Sequence, residues 1–134
     1  MALWQRALAA SAQCPNLAGN YAIEGEDGKV YISIEQHACE SVSIVRKSDY
    51  LGTITFEKHV LKLDGKVQND SPWLGGSEQY RTSARFVGSA LRVEARSTSS
   101  AVLAVIYSLT SRRDLIEAVT INGHGSPVVA KRQE

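Results

Sequence analysis

The chain lacks every local signature that would assign it a chemistry. No G-x-S-x-G nucleophile elbow occurs, because Gly75-Gly76-Ser77 lacks the closing glycine. No C-x-x-C occurs. The histidines His37, His59 and His124 fall on separate segments without the i, i+2 or i, i+4 spacing that seeds a metal site, so solvated surface positions are expected for all of them. The acidic group Glu24, Glu26 and Asp27 lacks the alternating oxygen ligands and closing carboxylate of a calcium loop and is expected as a solvated turn. These absences predict a protein that is not an enzyme and has no cofactor or metal.

Strong charge is missing too. A formal net charge of +1, from 15 basic and 14 acidic residues, excludes the basic stripe of a nucleic-acid binder. No apolar run approaches the roughly 18 residues of a membrane-spanning helix, the longest being residues 101 to 107. There is no internal repeat, low-complexity tract or interdomain linker. A length of 134 residues suits one core.

Residues 1 to 13 differ in texture: Ala-rich, without β-branched residues, and ending near the A-x-A triplet Ala10-Ser11-Ala12 that signal peptidase accepts. They are expected as a signal-like segment lacking its charged n-region, or as a short amphipathic helix packing Leu3, Trp4 and Leu8. Residues 14 to 134 then form a single β-barrel-like domain. Lipid anchoring at Cys14 is disfavoured, since Gln13 stands where a small residue belongs. Cys14 and Cys39 are the only cysteines. An even count in a short exported chain predicts a disulfide, stabilising by roughly 3 kcal/mol through loop entropy. A secreted or periplasmic location follows from the same reasoning.

What is present is alternation. Val30, Ile32 and Ile34 repeat at a period of two, and the pattern resumes at Val42 and Ile44. Ile54 with Phe56, then Leu61 with Leu63, predict two shorter strands. Residues 68 to 77 predict a polar, glycine-rich loop with Trp73 and Leu74 at its centre, folding back over something. Strands are expected at 78 to 87, 90 to 97, 101 to 110, 115 to 122 and 128 to 132, punctuated by Gly88-Ser89, Thr98-Ser99, Arg112-Arg113-Asp114 and Asn122-Gly123. The predicted fold is therefore all-β: an antiparallel up-and-down meander of about 8–10 strands that hides its edges as a barrel or strongly curled sheet.

The segment Cys14-Pro-Asn-Leu17-Ala-Gly19-Asn-Tyr21 resembles the opening of the calycin barrels, the lipocalins and avidins, which begin with Gly-x-Trp. Tyr21 stands in the Trp place. The resemblance implies an up-and-down barrel whose closed end is plugged by this aromatic, paired with a basic residue of a late strand. Arg112, Arg113 and Arg132 are the candidates. No residues match the biotin contacts of avidins, so no ligand identity carries over.

If Gly88-Ser89 is a two-residue turn, Phe86 faces Leu91 and Ala84 faces Val93 on the core side, while Arg85 faces Arg92 and Arg81 faces Arg96 outside. Like charges directly opposite are unfavourable. Glu94, and Glu117 from a nearby strand, are expected to compensate; otherwise the four guanidiniums suit an anionic ligand or partner. Residues 78 to 134 carry eight Lys or Arg against five acids, whereas residues 1 to 77 carry seven against nine. The run at 101 to 107 is apolar on both faces, which requires cover from the N-terminal segment or the Trp73-Leu74 loop, or a subunit interface.

These features predict a non-catalytic exported barrel that binds a small apolar or amphipathic ligand, with Trp73 and Leu74 as a lid and Tyr80 and Tyr21 at the barrel ends. The alternative is an interaction module with a filled core, docking a protein or anionic partner through Arg81, Arg85, Arg92 and Arg96. Either would be a monomer or a weak homodimer, without nucleic acid or a transmembrane segment.

Overall fold

A computed structural model describes residues 14 to 74, 78 to 98 and 101 to 133; the signal-like or helical segment expected at 1 to 13 lies outside them. The ten strands are β1 (Gly19–Glu24), β2 (Gly28–His37), β3 (Ser41–Tyr50), β4 (Thr53–Lys62), β5 (Gln68–Asp70), β6 (Tyr80–Val87), β7 (Ala90–Ser97), β8 (Val102–Leu109), β9 (Leu115–Ile121) and β10 (Pro127–Gln133). Every ladder is antiparallel, and the spatial order is β4-β3-β2-β1-β10-β9-β8-β7-β6-β5. The first and last strands of the chain pair, Tyr21 opposite Arg132, so the meander curls into a nearly closed barrel. Its remaining gap is a seam between β4 and β5.

Period-two alternation fills the barrel. Val30, Ile32 and Ile34 on β2, Val42 and Ile44 on β3, Leu91 and Val93 on β7 and Leu103 and Val105 on β8 all point inward and are buried. Tight hairpins set the register. Leu51 and Gly52 join Tyr50 to its partner Thr53 with φ of 52° and 84°, the mirror-image turn that matches strand twist. A leucine held there is strained by about 1–2 kcal/mol.

Two predicted boundaries change. Ile54, Phe56 and Leu61 belong to one strand, β4, because the inward phase continues through Glu57 and His59 rather than through apolar residues. The loop predicted at 68 to 77 begins as strand β5, which pairs with β6 from Gln68↔Thr82 to Asp70↔Tyr80. Cys14 and Cys39 form a disulfide, Cα atoms 5.8 Å apart, tying the entry of β1 to the β2–β3 turn.

Candidate functional site

Side chains close the seam that backbone hydrogen bonds leave open. The Gln68 amide accepts from the Lys62 N–H and donates to the Lys62 carbonyl, both at 3.0 Å, imitating one rung of a ladder. His59, fully buried on β4, reaches Asp70 on β5 through Nδ1 at 2.9 Å and Glu57 through Nε2 at 2.7 Å. A carboxylate on each nitrogen is the arrangement in which a protonated ring donates from both, so the geometry favours the imidazolium. Burial works against that charge, and the bonds to Asp70 and Glu57 overcome it, raising the His59 pKa. Burial likewise opposes the Asp70 carboxylate, yet its bonds to His59, Thr82 and Trp73 lower its pKa.

Trp73 lies flat on the His59 ring and is 1% exposed, with its indole N–H donating to Asp70 at 2.7 Å. It is thus the plug of the seam. Leu74 beside it is exposed, with φ of 56° and its N–H donating to Glu57 at 2.9 Å. Tyr80 is half-buried against the core at the start of β6. The structure brings Trp73, Leu74 and Tyr80 to the seam and places Tyr21 elsewhere.

Tyr21 is buried, with its hydroxyl donating to the Leu17 carbonyl at 2.7 Å. Of the three candidate arginines, Arg132 takes the partner place: its guanidinium carbon lies 5.2 Å from the Tyr21 ring centre, and Nη2 donates to the Tyr21 hydroxyl at 3.2 Å. Gly19 makes room. A Cβ there would lie 2.9 Å from an Arg132 nitrogen, at a φ of 154°.

A second buried network crosses the interior. Arg46 of β3 pairs with Glu117 of β9, and the Tyr107 hydroxyl of β8 donates to the same carboxylate at 2.8 Å. Burial, and then the Glu117 charge, push the Tyr107 phenol well above its ordinary value. Glu117 therefore faces inward and does not compensate the arginine ladder. Arg46 stands opposite Glu57 in the β3–β4 ladder. The two networks form one alternating series, Glu117, Arg46, Glu57, His59, Asp70, that neutralises most of its own charge away from water. His59 at this position departs from the surface site expected of it. The overlooked signal was phase: Arg46 follows Val42 and Ile44 at a spacing of two, Glu117 follows Leu115, and His59 precedes Leu61.

The ladder outside β6 and β7 has the predicted register, Arg85 opposite Arg92 and Arg81 opposite Arg96. Arg92 pairs with Glu94 at 2.9 Å; among the described residues it is the one member of the four with a carboxylate partner. A groove of about 400 Å³ runs along this face, lined by Val67, Arg81, Ser83, Glu94, Arg96 and Thr98 among others. On β8 the outward Val102, Ala104 and Ile106 are half-buried, and Trp73 lies far from them in the sheet order.

No family model and no curated protein matches the chain. A solved structure does. The fold is similar to that of secretory abundant heat soluble protein 4 from Ramazzottius varieornatus. The TM-score is 0.62 at 18% identity, over 97% of this chain and 85% of that one. Likeness at this identity concerns the fold alone. Among the described residues no helix is long and apolar enough to cross a membrane.

Proposed function

We propose that this protein is a non-catalytic, exported barrel of calycin type that acts by binding, and that its contact site is the groove on the arginine face of β6 and β7. The observation that carries this reading is the pair Arg81 and Arg96, directly opposite each other at the groove with no carboxylate partner among the described residues. Two guanidinium forks flanked by the hydroxyls of Ser83 and Thr98 suit a carboxylate or phosphate group. Val67 adds an apolar edge for the remainder of the ligand. The disulfide and the secretory protein of similar fold support export.

A small apolar ligand inside the barrel is the less favoured reading. It would have to displace Trp73, Tyr107 or the Arg46–Glu117 pair, all of which fill the interior. The outer groove needs no such rearrangement.

The test is a titration followed by amide NMR, using an oligoglutamate peptide and, separately, a long-chain fatty acid. The peptide is expected to shift Ser83, Arg96 and Thr98 and to lose that effect in Arg81→Ser/Arg96→Ser. Shifts confined to Val105, Tyr107 and Trp73 with the fatty acid would overturn the groove and restore the interior ligand.

A further inference from the structure

We infer that the outer edge of β4, from Thr53 to Glu57, docks a second copy of this chain, strand against strand and antiparallel about a two-fold axis. β4 is the terminal strand of the sheet, and its described backbone ladder is with β3 alone. The seam contacts lie toward its other end: Gln68 meets Lys62, Asp70 meets His59 and the Leu74 N–H meets Glu57. Thr53, Thr55 and Glu57 turn their backbone groups to β3, so Ile54 and Phe56 present the free backbone donors and acceptors of this end, beside which no described strand lies.

Proteins ordinarily blunt such an edge with charge, proline, a bulge or a covering loop. This one does not. Thr53-Ile-Thr-Phe56 is a run of strong strand formers with no charge before Glu57. Its side chains are exposed on both faces, Ile54 by 52% and Phe56 by 70%, and the adjoining turn carries Leu51, exposed by 84%. Lys47 holds its ammonium 5.6 Å from the Tyr31 ring and 5.8 Å from the Phe56 ring, keeping the outer apolar row against β3.

Charge selects the second copy's register. Residues directly opposite must share a face, so a two-fold antiparallel pairing centres one residue on its own copy. Centring on Glu57 or Lys58 sets like charges against each other, which is destabilising. Centring on Phe56 puts Ile54 opposite Lys58. Centring on Thr55 needs the outward backbone of Ile54 and Phe56 only, both short of the seam contact at Glu57, and sets Ile54 opposite Phe56 twice. The outer row across that join runs Lys47, Phe56, then Ile54 and Asp49 of the second copy, with opposite charges at its two ends.

Sedimentation velocity of the full chain over a concentration series, with the Cys14–Cys39 disulfide intact, tests this. A concentration-dependent dimer is expected. Phe56→Lys and Ile54→Lys, both at exposed sites, are expected to weaken it at least about tenfold, whereas Val129→Lys on the exposed face of β10 leaves it unchanged. Thr55→Cys is expected to crosslink to itself and Thr53→Cys not to. A monomer at every concentration, a dimer insensitive to both lysine substitutions, or self-crosslinking through position 53 in preference to 55 would overturn the proposal.

Discussion

His59 and Trp73 stack with ring centroids 3.5 Å apart and planes 9° from parallel, at the seam where, among the described strands, the barrel wall has no backbone ladder. When protonated, the imidazole against this indole face combines cation–π attraction with two charge-assisted hydrogen bonds. The barrel therefore closes through a titratable group.

Stability is expected to follow that group. The His59 pKa is raised on folding, so its contribution is complete below the unfolded value of about 6.5 and is lost as pH rises through the higher folded value. Asp70 is lowered on folding, so its contribution is present above about 3.9 and is lost as pH falls through the lower folded value. The melting temperature should be highest between roughly pH 4 and 6.5 and decline on both sides. His59→Gln should flatten the alkaline limb; an unchanged limb would assign it to another group.

The Arg46–Glu117 pair should behave as a buried pair does. Arg46→Met leaves Glu117 and Tyr107 in a water-poor interior, and Glu117→Gln leaves Arg46 with Glu57 alone, so each is expected to cost about 3–5 kcal/mol in urea unfolding. The double variant Arg46→Met/Glu117→Leu should be less destabilised than the sum of the two. Simple additivity would show that the two side chains are not coupled.

Gly19→Ala combines strain at a positive φ with a clash against Arg132. A loss of about 1–3 kcal/mol is expected, from the strained backbone alone or with the displaced guanidinium. Arg132→Met should remove the clash and recover part of that loss when combined with it. Thermal unfolding of the three variants measures this directly.

Removing the ladder repulsion should be harmless to the fold. Arg81→Ser/Arg96→Ser is expected to leave stability within about 0.5 kcal/mol of the parent or to raise it. A loss above about 1 kcal/mol by chemical denaturation would mark these arginines as structural and remove the basis of the groove assignment.

Much of the architecture was legible because a half-buried strand writes its two faces into alternate residues. The runs on β2, β3 and β6 to β9, with Gly88-Ser89 and Asn122-Gly123 between strands, carried both the meander and the arginine register. β4 was legible only in part: Ile54 and Phe56 occupy the outer phase and Leu61 the inner, so the apolar pattern changes phase within one continuous strand. Its inner phase is polar because Glu57 and His59 face a buried network, and period-two reading takes polar residues as outward.

Local pattern, turn chemistry and an even cysteine count determined by themselves an antiparallel all-β chain, its main hairpins and the Cys14–Cys39 pairing. Tertiary structure alone decided that Arg132 rather than Arg112 or Arg113 covers Tyr21, that Glu117 turns inward to Arg46, and that His59, Asp70 and Trp73 close the seam. Each of those choices joins residues from strands distant in sequence, and their energies depend on burial and on the sign of the charge across the barrel. No window of neighbouring residues contains that information.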